Sequence, residues 1–231
     1  MGCMKSHLFR LTVLFVAALL LSLVESAPAA DKKPKPPKAT PSPTDQLESA
    51  RVATRKLPGL AVEATLKRDK FELRLKVRRV ADDWELSIAA QQPMTVVRKD
   101  GNYYLSDDGG KSWRTTQPDD DLVTAVMAPL ENSKMVGDPS RRPAYQSVGK
   151  EYVNGEELIH LRLVPEPGDK TAVQDLPEAW LVSDGRIGWL VRRSRSSANL
   201  FKQMVSADIT YEALPAGATI EGPAANTPAK P

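Results

Sequence analysis

The most constraining feature of this sequence is the alternation of apolar and polar residues between Leu57 and Trp113. From Phe71 to Arg78, apolar and charged residues alternate without exception. A period of two places successive side chains on opposite faces of a β-strand. Short connections between such strands require antiparallel neighbours, because a parallel pair needs a crossover of a dozen or more residues. We therefore expect a curved antiparallel sheet with one apolar face, built here from the segments 60–67, 71–78, 84–90, 94–98, 102–106 and 111–115.

The second half of the chain carries further strand and turn signals. Asn154-Gly155 and Asp184-Gly185 are hairpin signals between alternating segments, since type I′ turns require positive φ. Ile187 is expected on the apolar side of its strand. The predicted strands, which bring the total to about ten, are 144–153, 156–164, 179–183, 186–193 and 201–213.

Two helices are expected beside these strands. The first has Ser42 as N-cap and Pro43 at its first position, and it runs to about Leu57. Its weakly apolar side contains Leu47, Ala50, Thr54 and Leu57. The second spans residues 117–132 and has a broad apolar side. Together with the strands, these helices indicate an α+β protein.

The first 29 residues have the composition of a secretory signal peptide. Lys5 and Arg10 precede an apolar run that is too short to span a bilayer, and we expect cleavage after Ala29. A retained anchor is the alternative. The Met1-Gly2-Cys3 start also fits a myristoylation pattern, which the export signal disfavours. The expected organisation is signal peptide 1–29, Pro/Lys-rich linker 30–41, one domain 42–223 and disordered tail 224–231, with periplasmic or secreted localisation.

The residue content argues against catalysis. Cys3 is the sole cysteine and leaves with the signal, so the mature chain has no thiol nucleophile and no disulfide. His160 is the one histidine left, and we expect it beside Arg162 on a solvent-facing strand surface. No phosphate-binding, dinucleotide-binding or metalloprotease motif occurs. We therefore expect no catalytic residue, metal site, cofactor or nucleic-acid partner.

The segment from Ser106 to Trp113 resembles the Asp-box, a hairpin of pattern S-x-D-x-G-x-S/T-W. The matching residues are Ser106, Asp108, Gly110, Ser112 and Trp113. The aspartate of such a turn can accept hydrogen bonds from turn amides, and its glycines permit positive φ. Because only one copy is present, we interpret it as a structural hairpin and not as part of a propeller.

The order of elements resembles the LolA/LolB-like superfamily. The segments that carry this resemblance are 100–105 (DGNYYL), 152–161 (YVNGEELIHL) and 207–212 (ADITYE). The superfamily includes periplasmic lipoprotein carriers, the sensory domain of a sigma-factor regulator and mycobacterial lipid-carrier lipoproteins. The resemblance implies a half-open antiparallel barrel whose concave apolar face, covered by short helices, accepts acyl chains. The chain departs from the family in lacking an anchor cysteine and in having one clear helix between its halves.

Two functions fit these observations. The first is an exported binding protein that holds a lipid, an acyl chain or a lipoprotein moiety, with a carrier role and no permanent membrane span. The alternative is an envelope sensor or protein-interaction module with no bound lipid. The same apolar residues could line a ligand site or simply pack on one another. The candidate lining residues are Phe71, Leu73, Leu75, Val77, Trp84, Leu86, Ile88, Met94, Val126, Met127 and Leu130.

Overall fold

The structure is a computed structural model and describes residues 41–69, 71–90, 93–117, 143–169, 171–200 and 203–223. These ranges contain helix α1 (Pro43–Arg55), a short 3-10 helix (Val173–Asp175) and eleven strands. The strands are β1 (Gly59–Arg68), β2 (Phe71–Val80), β3 (Asp83–Ala89), β4 (Met94–Lys99), β5 (Asn102–Ser106), β6 (Arg114–Thr116), β7 (Tyr145–Val153), β8 (Glu156–Leu163), β9 (Glu178–Asp184), β10 (Gly188–Leu200) and β11 (Gln203–Ala213). The predicted helix at 117–132 falls almost entirely outside these ranges, as do the signal peptide, the linker up to residue 40 and the tail.

All eleven strands form one antiparallel sheet in the order β6-β5-β4-β3-β2-β1-β11-β10-β9-β8-β7. Strand β1 pairs with β2 on one side and with β11 on the other, so the first and last strands are neighbours. The sheet is not closed, because β6 and β7 form its two ends. The predicted α+β fold with a half-open antiparallel barrel is therefore confirmed, with eleven strands instead of about ten.

The two predicted hairpin turns differ in form. Asn154 and Gly155 have φ angles of 52° and 83°, as a tight turn with positive φ at both positions requires. The second reversal is wider, since the Asp184 carboxylate accepts the amides of Arg186 (2.8 Å) and Ile187 (3.0 Å), and β10 begins only at Gly188. The prediction for Ile187 is wrong for this reason: it is 52% exposed in the turn.

The Asp-box segment is a turn held by its own hydrogen bonds. Asp108 accepts bonds from the Lys111 amide (3.0 Å), the Ser112 amide (2.9 Å) and the Ser106 hydroxyl (2.8 Å). Hydrogen bonds from the Ser112 hydroxyl and amide hold the pKa of Asp108 well below its ordinary value. Residues 111–113 belong to this turn, so the last strand of the meander starts at Arg114, three residues later than predicted.

Helix α1 lies across the second half of the sheet and packs mainly on β10, β7 and β9. The Ser42 hydroxyl accepts the Asp45 amide, which confirms the predicted N-cap. Leu47, Ala50 and Thr54 are buried against the sheet, as the apolar stripe predicted, and the helix ends at Arg55.

Side chains hold both ends of α1 to distant strands. The Thr44 hydroxyl accepts the Tyr145 amide of β7 at 2.9 Å. The buried Thr54 hydroxyl donates to the Ala50 carbonyl (2.8 Å) and accepts the Val191 amide of β10 (2.9 Å), where the pairing of β10 with β9 shifts register.

Thr54→Val is expected to lower the free energy of unfolding by about 1–3 kcal/mol, because it leaves a buried amide without an acceptor at nearly unchanged volume. Urea unfolding followed by circular dichroism measures the change. The control is Ser49→Ala at an exposed position of the same helix, where the effect should stay within about 0.5 kcal/mol. Equal effects of the two substitutions would show that the Val191 amide does not depend on Thr54.

Candidate functional site

The concave face of the sheet contains eight of the predicted lining residues. Five of them, Leu73, Leu75, Leu86, Ile88 and Met94, are buried in the main core. Val77 and Trp84 are partly buried against that core, whereas Phe71 is 45% exposed at the start of β2. The structure thus brings seven of these side chains together and leaves Phe71 outside the cluster. Val126, Met127 and Leu130 lie outside the described residues.

Strand register arranges the apolar side chains of this face in three rows, which we call the apolar rows. Successive rows are two residues apart along each strand, or about 7 Å. The rows are Leu66 and Leu73; Ala64, Leu75, Ile88 and Met94; and Val62, Val77, Leu86, Val96 and Leu105. Because the rows cross five neighbouring strands, they form one continuous apolar surface.

A fourth row follows on the same face, next to the row of Val77. It lies where strands β2 and β4 end and β3 and β5 begin, near the C-terminus of α1. It consists of Arg79, Trp84, Arg98 and Tyr103, which stand opposite one another on β2 to β5. We call it the arginine–aromatic row. All four side chains are partly exposed, and the Trp84 and Tyr103 rings meet edge to face with centroids 6.1 Å apart.

Of this row, only Trp84 is among the predicted lining residues. The signal for the others was present in the alternation itself. Arg79 follows Val77 by two residues and Arg98 follows Val96 by two, so both arginines continue the apolar side of their strands. The predicted strands 71–78 and 94–98 stop before Arg79 and at Arg98, so neither arginine was expected on this face.

Backbone carbonyls are the hydrogen-bond acceptors of both arginines. Arg79 donates to the carbonyls of Arg55 (2.7 Å) and Leu57 (3.1 Å), and so caps the C-terminus of α1. Arg98 donates to the Asp82 carbonyl at 2.6 Å. In neither case is the acceptor a carboxylate, so these hydrogen bonds do not neutralise the two positive charges.

The prediction of a solvent-facing His160 is wrong. His160 does lie on the outer face of β8, but it is only 5% exposed. Its ring stacks on Trp180 of β9 with centroids 4.5 Å apart, and its Nδ1 lies 2.8 Å from the Glu151 carboxylate. The neighbouring strands therefore bury this face with their own side chains, including Arg193 of β10, whose guanidinium lies 5.0 Å from the Trp180 ring centroid.

A buried carboxylate joins this outer cluster. The side chain of Glu178 is 1% exposed and pairs with Arg162 of β8 (2.7 Å) and with Arg195 of β10. Burial acts to raise the pKa of Glu178, but hydrogen bonds from Arg162 and Arg195 outweigh that effect and hold the pKa below its ordinary value. His160 Nε2 lies 3.2 Å from this carboxylate without hydrogen-bond alignment. The cluster ties four strands together.

Two negative findings concern the described ranges alone. Within them, no three His, Cys, Asp or Glu side chains are grouped so that they could hold a metal ion. The helical segments described there lack the length and apolar character needed to cross a membrane.

Comparison with solved structures identifies proteins of similar fold. LprF from Mycobacterium bovis matches with a TM-score of 0.50 at 14% identity, covering 80% of this chain and 99% of LprF. The lipoprotein LppX from Mycobacterium tuberculosis matches with a TM-score of 0.48 at 14% identity, covering 77% of this chain and 97% of LppX. The MucA/MucB complex of Pseudomonas aeruginosa matches with a TM-score of 0.39 at 20% identity, covering 75% of this chain and 58% of that one. No protein-family model and no curated protein sequence matches this chain.

Of these three likenesses, the one to LprF reaches a TM-score of 0.50 and shows a shared fold. The match covers nearly the whole length of LprF. The half-open barrel that the resemblance to the LolA/LolB-like superfamily implies is therefore confirmed as a fold, and membership of the superfamily stays a prediction.

Proposed function

We propose that this chain, which has the LolA/LolB-like fold, is an exported protein of the cell envelope that binds the acyl chain of a lipid or lipoprotein on its concave face. The observation that carries this proposal is the continuous surface of the three apolar rows across β1 to β5. Concave apolar surfaces are the usual sites for apolar ligands. We assign the protein no catalytic residue, and we place it in the periplasm or outside the cell.

The position of α1 supports this assignment. The helix packs mainly on β10, β7 and β9, so the apolar rows of β2 to β5 lie beyond its main contacts. Several of these side chains, such as Leu73 and Ile88 at 1% exposure, are packed in the core. An acyl chain that enters there must displace some of these side-chain contacts, and it gains free energy because its own apolar surface leaves water.

A co-purification experiment tests the proposal. The full-length chain is expressed with export, purified without detergent and examined by native mass spectrometry, with organic extraction of a parallel sample. We expect a stoichiometric adduct whose extracted mass is that of an acyl lipid. A ligand-free protein that takes up neither added fatty acid nor added lipopeptide would contradict the proposal and favour the protein-interaction module.

Val77→Arg is expected to reduce occupancy by the co-purified lipid at least about tenfold, because a guanidinium in the apolar rows must be desolvated when an acyl chain enters. Val77 is partly buried near the end of the sheet, so the new charge can reach water in the empty protein. Native mass spectrometry of the exported variant measures the occupancy.

Thr210→Arg is the matched control for this substitution. Thr210 is exposed on the outer face of β11, where an added arginine does not meet the apolar rows. The control should keep wild-type occupancy. Full lipid occupancy in the folded Val77→Arg protein would show that the acyl chain does not bind on this face.

A further inference from the structure

The arginine–aromatic row differs from the apolar rows next to it in its chemistry. Two guanidinium groups alternate with two amphipathic rings across β2 to β5, on the face that the proposed function gives to an acyl chain. Tyr and Trp suit a boundary between an apolar surface and water, because each has an apolar body and a polar group. The row therefore forms the polar end of an otherwise apolar face.

Arg79 and Arg98 differ from the arginines of the outer face in that they have no carboxylate partner among the described residues. On the outer face, cationic side chains face carboxylates on neighbouring strands: Arg78 is 3.5 Å from Glu85, and Arg193 pairs with Asp208. Within the described ranges, neither arginine of the arginine–aromatic row forms an ion pair with a carboxylate.

The acidic side chain at the start of β3 is already engaged in hydrogen bonds. Asp83 bonds to Lys99 Nζ at 2.7 Å and to the Asp100 amide at 2.9 Å. It therefore contributes to the field at Arg98 without bonding to it.

Arg98 has an unused donor. Its Nη1 donates to the Asp82 carbonyl, whereas its Nε is buried and has no hydrogen-bond partner among the described residues. A buried N–H without an acceptor costs free energy, which a ligand oxygen would recover. Arg98 as a whole residue is partly exposed, so a head group arriving from solvent can reach part of its side chain.

We propose that the arginine–aromatic row binds the anionic head group of the ligand whose acyl chain lies along the apolar rows. This inference rests on the proposed function and names its ligand class: an acyl amphiphile with a carboxylate or phosphate head group. Arginine binds both groups through parallel N–H donors. From Arg79 to Leu73 along β2 is six residues, about 20 Å, which is close to the length of a long extended acyl chain.

A pair of probes with equal chains tests the head group on the wild-type, full-length protein after delipidation. The probes are palmitate and hexadecanol, with dioleoylphosphatidylglycerol and dioleoylglycerol as a second pair, each measured by equilibrium binding at low salt. We expect at least one anionic probe to bind about tenfold more tightly than its uncharged partner. Preference within the first pair identifies a carboxylate ligand, and preference within the second a phosphate ligand.

Arg98 is then tested by substitution. Arg98→Gln should weaken binding of the preferred anionic probe about tenfold and change binding of its uncharged partner less than about twofold, whereas Arg98→Lys, which keeps the charge but loses the paired N–H donors, should have an intermediate effect. The control is Arg74→Gln on the outer face of β2, where the side chain is 73% exposed and pairs with Glu72, and neither probe should be affected.

Three outcomes contradict this site. Equal binding of the charged and uncharged probes by the wild type would refute the head-group site but not the proposed function. This test needs no variant. An unchanged preference in Arg98→Gln would do the same. Binding of no probe at all would refute the proposed function, and the head-group site with it.

Discussion

Glu178→Gln is expected to lower the free energy of unfolding by about 3–5 kcal/mol. The side chain is 1% exposed, and its two oxygens pair with Arg162 and with Arg195. Glutamine has nearly the same shape but no charge, so both guanidinium groups lose their anionic partner, and the amide places N–H donors opposite other donors. Urea unfolding at pH 7 measures the loss.

The pH dependence of that loss gives a second measurement. Because the pKa of Glu178 is lower in the folded than in the unfolded protein, its stabilisation is complete above the unfolded value of about 4.3 and is lost as the pH falls through the folded value. The gap between wild type and variant should therefore narrow in acid.

Glu157→Gln is the control for Glu178→Gln, since Glu157 is an exposed carboxylate that pairs with Lys150 at 2.7 Å. This control substitution should lower the free energy of unfolding by less than about 1 kcal/mol. A Glu178→Gln protein as stable as this control would mean that the outer cluster does not hold the strands together.

Trp180→Ala is expected to lower the free energy of unfolding by about 3–5 kcal/mol, the range for removal of a large buried aromatic side chain. Trp180 is 4% exposed and lies between the His160 ring and the Arg193 guanidinium, while its Nε1 donates to Glu151 at 3.0 Å. The substitution removes the stack, the cation–π contact and the hydrogen bond together. Chemical unfolding monitored by far-UV circular dichroism gives the value.

Trp180→Phe separates these contributions, because phenylalanine keeps a ring between His160 and Arg193 but cannot donate to Glu151. We expect it to retain more than half of the stability that alanine loses. If alanine and phenylalanine cost the same, the hydrogen bond and not the stacking would dominate at this position.

Much of the sheet could be predicted because alternation and turn signals depend on residues that are close in the sequence. A strand with one buried face must alternate, as β2 does from Phe71 to Arg78, and the turn at Asn154-Gly155 follows from two residues that accept positive φ. The predicted strand ends were less accurate where a side chain accepts hydrogen bonds from backbone amides of the turn. Asp184 and Asp108 each did so, and the strands after them begin late for that reason.

The outer cluster could not be predicted from alternation. The pattern of β8 places His160 and Arg162 on the polar face and says nothing about what stands on the next strand. Burial of His160 depends on Trp180 and Arg193, which register brings beside it from segments 20 and more residues away. A polar face of a sheet becomes buried when its side chains pair across strands, and that pairing is a property of register.

The candidate site was predicted in part for the same reason. The apolar members of the face, such as Leu75 and Ile88, followed from local alternation, and they do meet in one core. The arginines did not, because a cation at the end of a strand resembles a solvent-exposed terminus until its cross-strand neighbours are known. Whether these residues bind a ligand stays a prediction.

The adjacency of β1 and β11 has a consequence for the order in which the chain can fold. Strand β1 finds β2 within a local hairpin, but its other edge is filled by the last strand, and the Thr54 contact on β10 lies 137 residues away. Contacts of such separation form late, because much chain must be ordered first. Until residues 203–213 are available, the central strand β1 has an open edge. Pairing of the last strand with β1 and β10 is therefore the step that completes the sheet, and for a protein that we propose is exported this step must follow passage of the whole chain.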